Sequence, residues 1–367
     1  MKILSIVGAR PNFVKIAPLH RAFSAYPDIE SKIVHTGQHH DFIMSGIFFK
    51  QLQIPRPDHF LGINGGTHTQ QTAQIMLAFE EVVLRENPDL IIVVGDVNST
   101  LACALVAVKM HIPVAHVEAG LRSGDRTMPE EINRIMTDSI SDLLFVTEQS
   151  AVQNLLRENV PSCKIHLAGN VMIDSLVYCQ QYADNLNIDS KLGVPVNGYM
   201  VITMHRPANV DSIAGLTKLL EVLKSLTVIR PVIFPVHPRT LKNIHSFQLF
   251  NDFSVVQNLK LIPALGYLEF ISLVKNAALV ITDSGGVQEE TTYLQIPCIT
   301  LRSNTERPVT ILEGTNHLLP DFTVDSVMQL TREILSNKTK NSNIPPCWDG
   351  NAAVRIASIL REKYINS

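Results

Sequence analysis

No stretch of the sequence approaches the roughly 20 uninterrupted apolar residues that a bilayer span needs. Its opening, MKILSIVGARPN, has a short apolar run but neither a long h-region nor a small-residue cleavage site. It reads as a first β-strand rather than a signal peptide. Cysteine is scarce: Cys103, Cys163, Cys179, Cys298 and Cys347 are odd in number, scattered and without CxxC spacing. That usage points to reduced thiols in a cytoplasm, not to disulfides or a zinc site. Excess charge is also lacking; a net −3 gives no electrostatic case for nucleic acid or an anionic membrane as partner. No low-complexity tail or block of like charge suggests a disordered arm. There is no G-x-G-x-x-G, so the dinucleotide fingerprint is absent. His39-His40-Asp41 and His116-x-Glu118 resemble pieces of metal sites. Neither has a third ligand at recognised spacing, and no catalytic metal is expected.

What is present is length and apolar content. The chain's 367 residues exceed what one hydrophobic core usually supports, and 46% apolar with 18% charged describes a well-buried globular protein. Strand-like runs fall at Ile3–Val7, Lys32–Thr36, Leu90–Val94, Pro113–Val117, Leu143–Val146 and Ile165–Ala168. Helical patterns such as Thr69–Arg85 and Ser99–His111 lie between them. The alternation restarts with Tyr199–Thr203, Pro231–Val236, Leu259–Ile262, Leu279–Thr282 and Cys298–Leu301. Continuous apolar strands separated by helices predict parallel sheets covered on both faces. The expected fold is α/β, with two Rossmann-like doubly wound domains facing a cleft. The turn-rich segment Leu186–Gly198 marks the inter-domain region. The last helical pattern, Asn351–Lys363, has no strand after it and could pack on either half.

Open α/β sheets bind ligands at the carboxyl ends of their strands, so the residues after each strand carry the functional reading. GARPNFVK follows the first strand and sets Arg10 and Lys15 around a helix start, an arrangement suited to an anion. GDVNST places Asp96 at a strand end and offers Asn98, Ser99 or Thr100 as helix cap. HVEAGLRSGDRTMPEEINRI packs seven charges after a strand; Glu118 stands at the strand end, and Glu130 and Arg134 are four apart on one helix face. Asp125, Arg126 and Glu131 read as structural or rim residues. TMHRPANVD and FPVHPRT each put a His-Arg motif after a strand, His205-Arg206 and His237-x-Arg239. In ITDSGGVQEE, Ser284, Gly285 and Gly286 let backbone N–H groups approach an anion, and Glu290 sits one turn on, within reach of sugar hydroxyls. RSNTERP adds Arg302, Glu306 and Arg307.

Taken in order, GARPNFVKIAPL, HTGQHHD, GDVNST, HVEAGLRSGDRTMPEEINR, GNVMID, TMHRPANVD, DSGGVQEE and TERP resemble the non-hydrolysing UDP-N-acetylglucosamine 2-epimerases. The similarity runs from Met1 to about residue 320. The resemblance implies a GT-B-like fold divided as residues 1–168 plus 352–367, carrying the sugar and its catalytic carboxylates, and residues 169–351, binding UDP. It implies interconversion of UDP-GlcNAc and UDP-ManNAc in a cytoplasmic homodimer, without an added cofactor. The catalytic residues it implies are Asp96, Glu118 and Glu130, with Arg134 and His205 beside them. UDP would be held by Arg10, His205, His237, Ser284, Gly285, Gly286, Glu290 and Arg307.

Other readings share parts of this pattern. An epimerase of UDP-2,3-diacetamido-glucuronate shares HTGQH and MPEEINR, although Thr305–Pro308 reads TERP where those enzymes resemble TEW. Hydrolysing epimerases open with a GSRAEYG-like motif that this chain lacks. A GT-B glycosyltransferase need not have the EAGLRSGD and PEEINR segments, and a silent UDP-sugar sensor would not need all three carboxylates. In many bacterial members the residues after QH help build a second, activating UDP-GlcNAc site. His40 and Asp41 stand there instead, so weak or absent activation is expected.

Overall fold

The structure is a computed structural model that describes residues 1–37, 52, 54–336 and 342–365; the side chain of Arg10 lies outside the described set. His39, His40 and Asp41, and with them the expectation about activation, also lie outside the described residues. The chain divides into two compact units, Met1–Tyr178 with Pro346–Ser367, and Cys179–Pro345.

The first unit holds a parallel sheet of β1 (Lys2–Val7), β2 (Glu30–His35), β3 (His59–Phe60), β4 (Leu90–Val94), β5 (Val114–Ala119), β6 (Leu143–Val146) and β7 (Ile165–Leu167). Their order is β3-β2-β1-β4-β5-β6-β7. The second unit holds β8 (Met200–Thr203), β9 (Val232–Val236), β10 (Leu259–Pro263), β11 (Leu279–Thr282), β12 (Cys298–Thr300) and β13 (Asn316–Leu318), ordered β10-β9-β8-β11-β12-β13 and again parallel. The second is a 3-2-1-4-5-6 arrangement and the first extends the same order by a seventh strand, so the winding reverses between β1 and β4 and between β8 and β11. Those reversals are where such sheets open a crevice for a ligand. Strands such as β4, LIIVV, are buried along their whole length because helices cover both faces.

Strand ends move by a residue or two from the sequence reading, and β3 and β13, two and three residues long, are additional. The division between units also differs from the sequence reading. Leu186–Gly198 is no linker: Ile188 and Val194 join a core with Tyr199, Val201 and Ile233, and the Tyr199 hydroxyl donates to Leu273 O at 2.6 Å. The boundary falls instead inside the helix Val171–Ala183. Its first turn is fixed to the first unit by Asp174, whose carboxylate accepts from the N–H groups of Ala352 and Ala353 at 3.1 and 2.7 Å. Those amides open the last helix, Ala352–Tyr364, which therefore belongs to the first unit. The buried Trp348 indole donates to Thr147 O at 2.9 Å, and Arg361 pairs with Asp28 at 2.7 Å. Among the described residues no helix is long and apolar enough to cross a membrane.

Candidate active site

In the first unit, side chains from both sides of the sheet reversal converge on the loops after β1, β4 and β5. After β1, Asn12 closes the turn by accepting from the N–H groups of Gly8 and Ala9 at 3.1 and 2.8 Å. Its amide donates across to Val94 O at 3.1 Å, tying this turn to the end of β4. One turn into the helix Arg10–Ser24, Lys15 is buried and ion-paired with Glu118. Gly95, which follows β4, has φ +67°, and a Cβ there would lie 2.9 Å from Lys15 Nζ. Only glycine meets both conditions at once.

Asp96 follows, about a quarter exposed, with its carboxylate paired to Arg134. The capping expectation does not hold. The helix Asn98–Lys109 has Val97 at its N-cap and no side-chain cap. Asn98 donates to Gln71 at 2.7 Å, Ser99 meets Thr36 at 2.8 Å, and Thr100 bonds back to Val94 O at 3.0 Å. These side chains are used to bind neighbouring elements together instead.

Glu118 sits in β5 at φ +73°, where the register to β6 skips from Val117 to Ala119. The bulge takes one residue out of the ladder and re-aims its side chain, here a carboxylate only 5% exposed. A glutamate in the left-handed region costs about 1–3 kcal/mol and persists only where its surroundings over-determine it. The loop that follows folds back onto the helix Pro129–Ile140 through Glu131, which is 2% exposed. Its carboxylate accepts from Ser123 N and Gly124 N at 2.9 to 3.1 Å and from Arg134 Nε and Nη2 at 3.0 and 2.8 Å. Burial would raise the Glu131 carboxyl; these donors hold it below the usual range. Arg134 therefore reaches Glu131 and Asp96, not Glu130 as the four-residue spacing suggested. Glu130, half-buried one residue earlier, makes no hydrogen bond or ion pair among the described residues.

Beneath the loop, His116 is fully buried, with Nδ1 2.7 Å from Asp138 and Nε2 2.8 Å from Gly95 O. Asp138 also takes Gly120 N at 3.0 Å and Arg122 at 2.7 Å. Burial would push its carboxyl up, but His116 and Arg122 keep it low. His116 and Glu118 are thus committed to protein partners rather than to a shared metal.

In the second unit, the reversal brings the ends of β8 and β11 together through Asp283, fully buried. Its carboxylate accepts from His205 N at 3.1 Å, Arg206 N at 2.9 Å and Asn209 Nδ2 at 3.0 Å, and meets His205 Nδ1 at 3.0 Å. Burial opposes the charge, and His205 and the amide donors nonetheless hold the carboxyl below its ordinary value. His237, after β9, lies with its ring centroid 5.4 Å from that of His205 and caps the helix Pro238–Ser246 by accepting from Arg239 N.

After β11, Ser284 is the N-cap of the helix Gly285–Leu294 but makes no side-chain cap bond. A Cβ on Gly285 would fall 2.7 Å from Arg307 Nη1 and 2.9 Å from Glu306 Oε1, so a side chain at this helix start would displace that ion pair. Arg307 is held beneath it between Glu289 at 2.8 Å and Glu306 at 2.5 Å; Arg302 meets Glu306 at 3.0 Å. Thr305 donates to Gln288 at 2.7 Å, which fixes the TERP segment on the same helix.

Glu290 is buried beside Glu289. Its burial, with that neighbouring charge, pushes its carboxyl up to about 8, against the Tyr267 hydroxyl, which acts the other way. Between the ordinary value of 4.5 and about 8 the folded state binds a proton that the unfolded chain does not. This group's contribution to stability therefore falls as pH rises through that window. Glu290→Gln is expected to raise stability by roughly 1–3 kcal/mol at neutral pH. Urea melts at about pH 5 and about pH 8 check this: the variant's advantage must grow toward the higher pH.

The structure thus gathers Lys15, Asp96, Glu118 and Arg134 in one unit, and His205, His237, Ser284, Gly285, Gly286, Glu290 and Arg307 around the strand ends of the other. Asn12, Asp138, Asp283 and Glu289, which hold these residues in place, escaped the sequence reading, whereas Glu131 has the structural role read for it there.

The family model described as UDP-N-acetylglucosamine 2-epimerase matches residues 21–361. A UDP-N-acetylglucosamine 2-epimerase of Methanocaldococcus jannaschii is 43% identical over 98% of this chain and 99% of its own. A UDP-2,3-diacetamido-2,3-dideoxy-D-glucuronate 2-epimerase of Pseudomonas aeruginosa is 41% identical over the same shares. The crystal structure of the Methanocaldococcus jannaschii enzyme with UDP-GlcNAc and UDP superposes with a TM-score of 0.91 at 42% identity, covering 99% of this chain and 100% of that one. A lipopolysaccharide outer core galactosyltransferase, at 13% identity and a TM-score of 0.52 over 100% of this chain and 96% of its own, shares the fold alone. With both sheets, the ordered motifs and this likeness over nearly its full length, the chain belongs to the UDP-N-acetylglucosamine 2-epimerase family.

Proposed function

We propose that the protein reversibly inverts C2 of UDP-GlcNAc to give UDP-ManNAc, by eliminating UDP and adding it back. The observation that carries this reading is the unequal setting of three carboxylates. Glu118 and Asp96 are each ion-paired with a buried cation, while Glu130, at a helix start, has no such pair among the described residues.

The proton on C2, the carbon that bears the acetamido nitrogen and has no adjacent carbonyl, is too weakly acidic for direct removal, so the C1–O bond to UDP breaks first. Positive charge then develops at C1, and fixed anions such as Glu118 and Asp96 stabilise it. Loss of the C2 proton gives 2-acetamidoglucal, and Glu130 is the carboxylate free to exchange that proton. Return of UDP with protonation on the opposite face completes the inversion. The UDP contacts come from the second unit: His205, His237, the helix start at Ser284–Gly286, and Glu290 for ribose hydroxyls. Arg307 supports that helix start through Glu289 and Glu306. Arg10 joins this set by motif. The protein works without an added cofactor, as a cytoplasmic homodimer.

The rival substrate, the diacetamido-glucuronate nucleotide, adds a carboxylate at C6. Lys15, Arg122 and Arg134, the cations built into the carboxylate cluster, are committed to Glu118, to Asp138 and Glu158, and to Asp96 and Glu131. That pairing favours a neutral sugar. Turnover of the two nucleotides side by side tests the choice. UDP-GlcNAc is expected to be converted at least about 100-fold faster in kcat/KM, the scale on which an unmatched buried charge discriminates. Preference for the uronate would overturn it.

A further inference from the structure

His205 and His237 lie ring beside ring, with planes inclined at 34°, yet their Nδ1 atoms meet opposite partners. Nδ1 of His205 is 3.0 Å from Asp283 Oδ1, an ionised carboxylate oxygen that can only accept. Nδ1 of His237 is 3.2 Å from the backbone nitrogen of Arg239, which can only donate. The first nitrogen must carry its proton and the second must not.

We propose that the pair is divided into fixed proton arrangements. His237 is a neutral ring presenting Nε2–H; His205 carries Nδ1–H against Asp283 and is the ring that exchanges a proton, at Nε2. A proton on His237 Nδ1 would break the helix cap and set positive charge on a helix amino terminus, both unfavourable. His205 has the reverse setting, because a second proton there is balanced by the buried Asp283. The Asp283 carboxylate is held by Arg206 N, Asn209 and His205 N as well, so it cannot turn away from the ring. Asp283 is thus a positioning residue. The other charged or titratable groups on these elements are Arg206, the Arg239–Asp211 ion pair, Lys242 and His245 on the helix Pro238–Ser246, and Glu289 and Glu290 on the helix Gly285–Leu294.

The use of this proton rests on the elimination reading above; the tautomers do not. When C1–O breaks, its electron pair stays on the diphosphate oxygen and His205 Nε2 gives that oxygen its proton. Re-addition of UDP returns the proton to Nε2, so none is consumed. His237 offers the nucleotide an N–H donor that does not change through the cycle.

Long-range proton–nitrogen spectra of the full chain labelled with ¹⁵N-histidine test this, with His205→Asn and His237→Asn assigning the signals. From about pH 6 to about pH 8.5, His237 is expected to keep the Nε2–H pattern, and His205 to keep its proton on Nδ1. A neutral His205 found as its Nε2–H form, or a second proton on His237 in that range, overturns the assignment. These spectra do not depend on turnover, so loss of the epimerase reading would leave them standing. Asp283→Asn is expected to release His205 from its Nδ1–H form and to lower kcat for UDP-GlcNAc by roughly 100-fold with little change in KM. An unchanged His205 tautomer in that variant would remove Asp283 from its role. Should the variant fail to fold, the parent spectra decide the tautomers by themselves.

Discussion

Glu118→Gln is expected to lower kcat for UDP-GlcNAc by about 10²–10⁴-fold, the range that a carboxylate acting on the reacting sugar supplies. Glutamine keeps the shape and the bulge at φ +73° but not the charge that opposes the cationic sugar. The change also strands the Lys15 ammonium in a buried place. Breaking such a pair costs about 3–5 kcal/mol, so the melting temperature falls together with the rate. A second variant separates the two effects. Lys15→Met combined with Glu118→Gln removes both charges and is expected to recover most of the stability and none of the rate. Recovery of the rate would reduce Glu118 to a counter-ion for Lys15.

Two adjacent glutamates are expected to fail in opposite ways. Glu131→Gln is expected to cost about 3–5 kcal/mol of stability, because Arg134 and the amides of Ser123 and Gly124 all point at its buried carboxylate. Since its carboxyl is held below the ordinary 4.5, its stabilisation is present above that pH and is lost as acid protonates it. The variant should therefore lose part of the acid-side slope of stability. Glu130→Gln, by contrast, should melt within about 0.5 kcal/mol of the parent, as a partly exposed side chain without partners does. Its kcat should still fall by roughly 10²–10⁴-fold. Denaturant melts and initial rates on the two variants decide the matter. A destabilised Glu130 variant with normal kcat would contradict the division of roles.

Helical phase could have separated those two residues. Positions 131, 134 and 138 share one face of the helix, and that face is buried with its charges paired. The sequence reading chose the four-residue spacing to Arg134, whereas the three-residue spacing from Glu131 is the one used. The parallel sheets were legible because strands covered on both faces must be continuous apolar runs, as β4, β6 and β11 are. Strands β3 and β13 were not, since two or three residues at a sheet edge carry no periodicity. Glu118 illustrates a different limit. VAHVEA reads as an ordinary strand ending, and nothing local marks the left-handed bulge, whose contacts with Lys15 and Gly95 come from other elements. Asp283 was visible only as part of a glycine-rich turn, because its partners lie more than seventy residues away in sequence. Ligand-side positions are thus readable from strand ends, while the residues that orient them come from long-range contacts.

Inversion through elimination makes one prediction that no binding protein, hydrolysing epimerase or glycosyl transfer shares: intact UDP-ManNAc whose C2 hydrogen comes from solvent. The most direct measurement incubates the protein with UDP-GlcNAc in D₂O and follows the sugar by NMR. Appearance of UDP-ManNAc with deuterium at C2, and deuterium entering C2 of the remaining UDP-GlcNAc, is the expected result. Epimerisation with C2 hydrogen retained in both nucleotides, release of free ManNAc, or binding without turnover would contradict it.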